Sequence, residues 1–127
     1  MPPAACVRAA VLMGGVLAAG CDLGQHALPD AIAPAAQRAR GHALLAQYQC
    51  GSCHVIPHVA AARGVTGPPL DRFGLRSYIA GEVPNGPEHL SRWIASPQAV
   101  VPGTRMPSMG VSASDARDIA AYLLALE

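Results

Sequence analysis

Cys50-Gly51-Ser52-Cys53-His54 is the stretch of this chain whose residue types and spacing can do chemistry together. Two thiols three positions apart, followed directly by an imidazole, form the pattern for covalent attachment of a c-type haem. One helical turn presents both sulfurs to the two vinyl groups of a single porphyrin. Thioether formation then brings His54 beneath the iron as its proximal ligand. Gly51 and Ser52 place nothing bulky between the sulfurs and the ring edge. The rival readings lack their remaining parts. A thioredoxin-like dithiol should follow a strand in a βαβ pattern, and no strand run precedes Cys50. A structural zinc site needs two more ligands at regular spacing, and no second cysteine pair follows Cys53. A disulfide between Cys50 and Cys53 would leave His54 without a task.

A six-coordinate iron needs a ligand on its other face. The segment Val101-Pro102-Gly103-Thr104-Arg105-Met106-Pro107-Ser108-Met109 offers two thioethers in a loop stiffened by two prolines. Stiffness matters, because a neutral thioether binds iron weakly and dissociates unless its backbone is held. His58 stands four residues after His54, behind Pro57, on a segment the thioethers tie to the proximal side, so it reads as a surface histidine. His26, His42 and His89 have no ligand spacing.

The elements that must position these groups read as helices. Leu44, Leu45 and Tyr48 lie at helical spacing and predict a helix over residues 37–49 that runs into the motif. Residues 55–87 are irregular and rich in Gly and Pro; a loop of that length needs a reason, and wrapping a haem edge is one. A middle helix is predicted from about Pro87 to Ser96. Asn85 or Gly86 caps it, Leu90, Trp93 and Ile94 form its apolar face, and Pro97 stops it. The last helix covers about Ser114 to Leu126, with Ser112 and Asp115 resembling a capping box and Ala116, Ile119, Tyr122, Leu123 and Leu126 on one stripe. No segment alternates as a strand should. The fold class is all-α, with long loops around one covalent haem, and five aromatics in 127 residues suit a core completed by its cofactor.

The N-terminus reads as an export signal. Met1 to Gly20 carries one charge, Arg8, ahead of an apolar run from Ala9 to Ala19 that is too short for a transmembrane helix, which needs about 20 apolar residues. Leu17-Ala18-Ala19-Gly20-Cys21 resembles a bacterial lipobox, with Ala18 where Leu is commoner, which implies cleavage before Cys21 and a diacylglycerol on its thiol. The alternative is ordinary secretion, or a retained hydrophobic anchor, with Cys21 a bystander. Expected boundaries are a signal peptide over 1–20, a tether over 21–36 and the haem domain over 37–127. Localisation follows as the periplasmic side of the bacterial inner membrane. Net charge is +1, every cationic side chain is Arg, and no basic run points to nucleic acid.

The order of motifs resembles class I cytochrome c over about residues 38–126. The haem motif comes first, then Gly67-Pro68-Pro69-Leu70, then Pro102-Gly103-Thr104-Arg105-Met106, then the closing helix from Asp115. The four-helix cytochrome class carries its haem motif near the C-terminus and fits less well. The resemblance implies Met106 as the second axial ligand, with Met109 as the alternative. It also implies that the Pro68 carbonyl accepts from His54 Nδ1–H and that Arg76 lies near the haem propionates, against the plainer reading of a solvated charge. The same resemblance puts Trp93 beside the methionine sulfur, against the plainer reading of the main core aromatic. It makes Tyr78 and Asn85 candidates for hydrogen bonds to haem edges and has Tyr122 and Ile119 pack on Leu45 and Tyr48. The lysine-free, short-looped form is similar to small bacterial domains attached to respiratory oxidases. Residues 81–94 are similar to lipoprotein cytochromes accompanying haem–copper oxidases, a likeness at the level of association. The function implied is single-electron transport toward a terminal oxidase without catalysis. The partners implied are a haem–copper oxidase or an upstream dehydrogenase or bc-type complex. The alternatives are an electron-accepting subunit of a periplasmic dehydrogenase, and a peroxidase or gas-binding protein in which Met106 is labile. A peroxidase would want a distal acid–base pair, and the 100–112 loop has neither acid nor His.

Overall fold

In the computed structural model, residues 33–127 are described. The expected signal peptide and Cys21 lie outside the described residues, as does most of the tether. Helix α1 spans Ala35–Gln47, so Ala35 and Ala36 belong to the folded unit rather than to the tether. Gln49 adopts a left-handed backbone with φ 55° and ends the run before the motif. The helix therefore does not continue into Cys50. A separate 3₁₀ turn, Cys50–Ser52, carries the first thiol, and its Cys50 carbonyl accepts from the backbone N–H of both Cys53 and His54.

Helix α2 spans Pro87–Ala95 and buries Leu90, Trp93 and Ile94. Its N-cap is Gly86, with no side-chain cap; Asn85 spends its amide elsewhere. Pro97 ends α2 as its missing N–H requires, and it also opens a short helix α3, Pro97–Val100, which the sequence pattern did not announce. Helix α4 spans Ala113–Leu124. Ser112 Oγ accepts from Asp115 N at 3.1 Å, but the carboxylate of Asp115 does not complete the reciprocal half of the box, because it accepts from Tyr48 Oη at 2.7 Å. The long connection between the motif and α2 is not wholly irregular. It holds a 3₁₀ turn, Phe73–Leu75, and a two-stranded antiparallel hairpin, β1 Tyr78–Ile79 and β2 Val83–Pro84, each strand too short to show alternation.

Helices α1 and α4 form the frame. They approach most closely at Gly41, where a Cβ would overlap the Asp118 carbonyl and crowd the Ile119 Cα. Arg40 Nε donates to Asp118 at 2.9 Å, and the Arg40 guanidinium beside Asp118 holds its carboxyl below the usual carboxylate range. His42 packs edge-on against Tyr122 at 5.2 Å between ring centroids. From this frame two bonds reach the loop after the motif: Tyr122 Oη donates to the Pro57 carbonyl at 2.7 Å and His42 Nε2 donates to the His58 carbonyl at 2.8 Å.

Gly41→Ala should lower the stability of the holo-protein by about 1–3 kcal/mol, because overpacking at the crossing outweighs the better helix propensity. Denaturant titration checks this, and an unchanged midpoint would refute it. An NMR titration of Asp118 should give a midpoint below the ordinary carboxylate value, raised toward it by Arg40→Ala. The depressed folded-state value means the ion pair supports the fold at neutral pH, with that support lost as pH falls through the Asp118 midpoint.

Candidate haem-binding site

The buried side chains form one core cluster that leaves a cavity on one side. Leu45, Leu90 and Ile119, each about 1% exposed, border a cavity of about 330 Å³ together with Leu70, Phe73, Ile79, Trp93, Ile94 and Leu123. That volume lies at the lower end of the roughly 300–1,000 Å³ common for ligand sites. Into the same apolar space come Cys50, Cys53, His54 and Met106, so the sequence-predicted thiols, imidazole and thioether share one wall system. A larger open groove of about 980 Å³ between α1, α2 and α4 holds none of these groups.

The proximal side is built from backbone. His54 Nδ1–H donates to the Pro68 carbonyl at 2.7 Å, leaving Nε2 without a protein partner among the described residues. Gly67 lies flat against the ring, where any Cβ would overlap the imidazole. The loop is tied down by Gly64 N to Gly51 O at 3.0 Å, Gly67 N to Cys53 O at 2.8 Å and Leu70 N to Val55 O at 2.8 Å. Cys50 and Cys53 are free, half-buried thiols. Burial pushes the Cys50 thiol above its ordinary value, so it stays protonated and is a poor partner for stray disulfide exchange.

Met106 is half-buried and lines the cavity, whereas Met109 is 41% exposed and does not. Trp93 lies in the wall. Arg76 reaches the cavity as well. Its guanidinium lies 5.0 Å over the Phe73 ring and donates to the Pro69 and Asp71 carbonyls, so it is a fixed charge rather than a freely solvated one. Tyr78 borders the cavity but is 57% exposed, and its hydroxyl has no protein partner among the described residues. Asn85 is not in the wall. Its Nδ2 donates to the Phe73 and Arg76 carbonyls at 3.1 and 3.0 Å, a brace on the turn that carries Arg76, while its Oδ1 is buried without a partner. His58 and His89 are exposed and outside the cavity.

Sequence reasoning missed Gln98. From α3 its Nε2 donates to the Thr104 carbonyl at 2.6 Å and to the Met106 carbonyl at 3.4 Å, and its Oε1 accepts from Gly103 N at 3.1 Å. The only local signal was an amide just after the proline that stops α2.

The donor set fits a flat apolar macrocycle held by two sulfurs. Two half-buried thiols, one imidazole with a free nitrogen and one thioether meet in a space walled mainly by hydrocarbon and indole, with Arg76, Tyr78, Thr104 and Arg105 also in its lining. Without haem, the hydrocarbon lining this space would face water instead of a partner, in a domain too small to bury a full core of its own. A Cys50→Ala, Cys53→Ala variant without bound haem should therefore show no cooperative thermal transition by circular dichroism. A sharp transition matching that of the haem-loaded protein would contradict this.

Comparison with known proteins agrees with this geometry. Residues 38–127 match the sequence model of the family described as Cytochrome c. The chain is similar to "Cytochrome c oxidase subunit 2" of Alkalihalophilus pseudofirmus, 33% identical over 89 residues, covering 69% of this chain and 25% of that protein. It is also similar to "Cytochrome c oxidase subunit 2" of Bacillus subtilis, 31% identical over 87 residues, covering 65% of this chain and 24% of that protein. The chain thus spans about a quarter of the length of these curated relatives. No solved structure matches it. With four helices and one minimal hairpin among the described residues, a cavity of haem character and a family match over the whole folded unit, the chain belongs to the cytochrome c family: an all-α haem c protein of electron transfer, in which Cys50 and Cys53 fit the covalent attachment site.

Proposed function

We propose that the protein is a membrane-tethered carrier that passes single electrons toward a terminal haem–copper oxidase, with His54 and Met106 as the two axial ligands. The observation that carries this reading is the meeting of His54 and Met106 in one apolar cavity from two separately anchored loops. Bound haem c supplies a one-electron ferric–ferrous couple. The Pro68 carbonyl, by taking the Nδ1 proton, fixes the His54 ring and keeps the Nε2 lone pair available and basic. Met106 contributes a neutral sulfur, which favours the ferrous state and a raised potential. Leu45, Leu90, Trp93 and Ile119 keep water from the iron's surroundings. Arg76, fixed by the Pro69 and Asp71 carbonyls, offers positive charge to the haem carboxylates. With His54 and Met106 both holding the haem, no position on it would be left for a substrate.

Delivery to an oxidase rests on the likeness to the two subunit 2 proteins and on the lysine-free surface. Lipidation of Cys21 would supply two acyl chains, enough for stable anchoring where a single chain is marginal. Confinement to the periplasmic face of the inner membrane would raise the carrier's effective concentration at its partners. No helix of the described residues is long and apolar enough to cross a membrane.

Met106→Ala should abolish the far-red sulfur–iron band of the ferric protein and let the reduced form bind carbon monoxide. Strong carbon monoxide binding by the unaltered protein would overturn the closed-carrier reading. The tagged full chain, solubilised from native membranes, should co-purify with haem–copper oxidase subunits, and Cys21→Ser should release it to the soluble fraction. Recovery with a periplasmic dehydrogenase instead would overturn the oxidase assignment.

A further inference from the structure

We propose that Gln98 is a positioning residue for Met106: a clasp on α3 that holds the thioether loop shut over the haem cavity. This rests on Met106 ligation as proposed above. The problem it solves is physical. A neutral sulfur is a weak ligand, so its occupancy of the iron depends on how far its loop can stray.

Besides the packing of Met106 against the core and the buried Val111 that follows, residues 102–110 have few polar ties to hold them. Among the described residues, every hydrogen bond that joins this segment to a helix comes from the Gln98 side chain, two donated and one accepted. The bond from Met106 N to Thr104 Oγ1, at 3.4 Å, is internal to the loop and travels with it. Thr104 N to Val101 O, at 3.2 Å, shapes the turn at Gly103 but reaches no helix. Pro102 and Pro107 restrict the backbone without attaching it. Gln98 is itself exposed, so each bond competes with water, but three bonds from one amide share a single cost of ordering that side chain. The backbone of α3 holds the amide in place. Pro97 is buried, and Val101 N bonds back to the Pro97 carbonyl at 2.9 Å.

The clasp also touches the ligand at the right atoms. Nε2 holds the Met106 carbonyl itself and the carbonyl of Thr104, two residues earlier, while Oε1 holds the amide of Gly103, whose φ of 81° marks the turn where the segment reverses. The amide therefore grips both the turn and the ligand-bearing residue. Glu at this position would keep an acceptor for Gly103 N and lose both donors; Ala would lose all three bonds.

The test uses the ferric holo-protein titrated with imidazole, which occupies the iron only when Met106 has left. The apparent Kd for imidazole should fall about tenfold from wild type to Gln98→Ala, as expected for losing the net contribution of these bonds. Gln98→Glu should lie between them, and the far-red band should weaken in the same order. Unfolding midpoints by far-UV circular dichroism should change far less than the imidazole affinity, because α1, α2 and α4 do not depend on the clasp. An imidazole Kd that does not move across the series overturns the proposal. So does a fall matched by an equal loss of global stability, which would mark Gln98 as merely structural. A wild-type protein lacking the far-red band would overturn Met106 ligation and the clasp together, whereas a band present with an unmoved series overturns the clasp alone. Should Gln98→Ala fail to accumulate, Gln98→Glu carries the same comparison.

Discussion

Leu45, Leu90 and Ile119 are nearly sealed from water, and the core cluster they belong to borders a shared hollow. In a domain this small, the hydrocarbon needed to complete its interior has to come from the prosthetic group. Every other feature follows from that need. The segment after the motif must run along the cavity instead of folding into regular structure. The α1–α4 crossing, which supplies Leu45, Ile119 and Leu123 to the cavity wall, has to be held tightly. Gly41 meets the last demand by letting one backbone come against another, and Arg40–Asp118 and Tyr48–Asp115 fasten the flanks.

The two loops that bear the candidate ligands are fastened very differently. The His54 side is stitched by backbone bonds within itself and to the helical frame through Tyr122 and His42. The Met106 side, apart from the packing of Met106 on the core, is tied down through one exposed amide from a four-residue helix. Such asymmetry suits the chemistry. With thioethers formed at Cys50 and Cys53, the proposed histidine ligand would sit on the stiff side. The proposed sulfur ligand, the weaker of the two, would sit on the side where loop tethering has the larger effect. The polar brace Asn85–Arg76 lies along a third edge, fixing a cation at the cavity wall without adding a buried charge to the core.

Much of this was legible in the chain itself, and the reasons differ by element. The Cys50–His54 motif is readable because its geometry is local: one turn of backbone sets the sulfur spacing. The Ser112 cap, the apolar face of α2 and the core role of Trp93 were readable for the same reason. Asn85 misled, since an Asn ahead of a Pro-initiated helix suggests a cap, while its real partners are carbonyls nine and twelve residues earlier. The hairpin was invisible because two-residue strands have no period to detect. Gln98 was invisible because its importance lies in where the chain returns after Pro102, a fact of tertiary structure. The end of α1 at Gln47 was missed because Gln49 takes a left-handed conformation that its side chain does not advertise.

The path of the chain has one more consequence. Ala33, the first described residue, and Glu127 border the same groove, and none of the residues that line this groove lines the haem cavity. Entry and exit of the folded unit therefore lie along one groove whose lining is separate from that of the haem cavity. Extra chain joined at either end would enter through that groove and leave the lining of the haem cavity untouched.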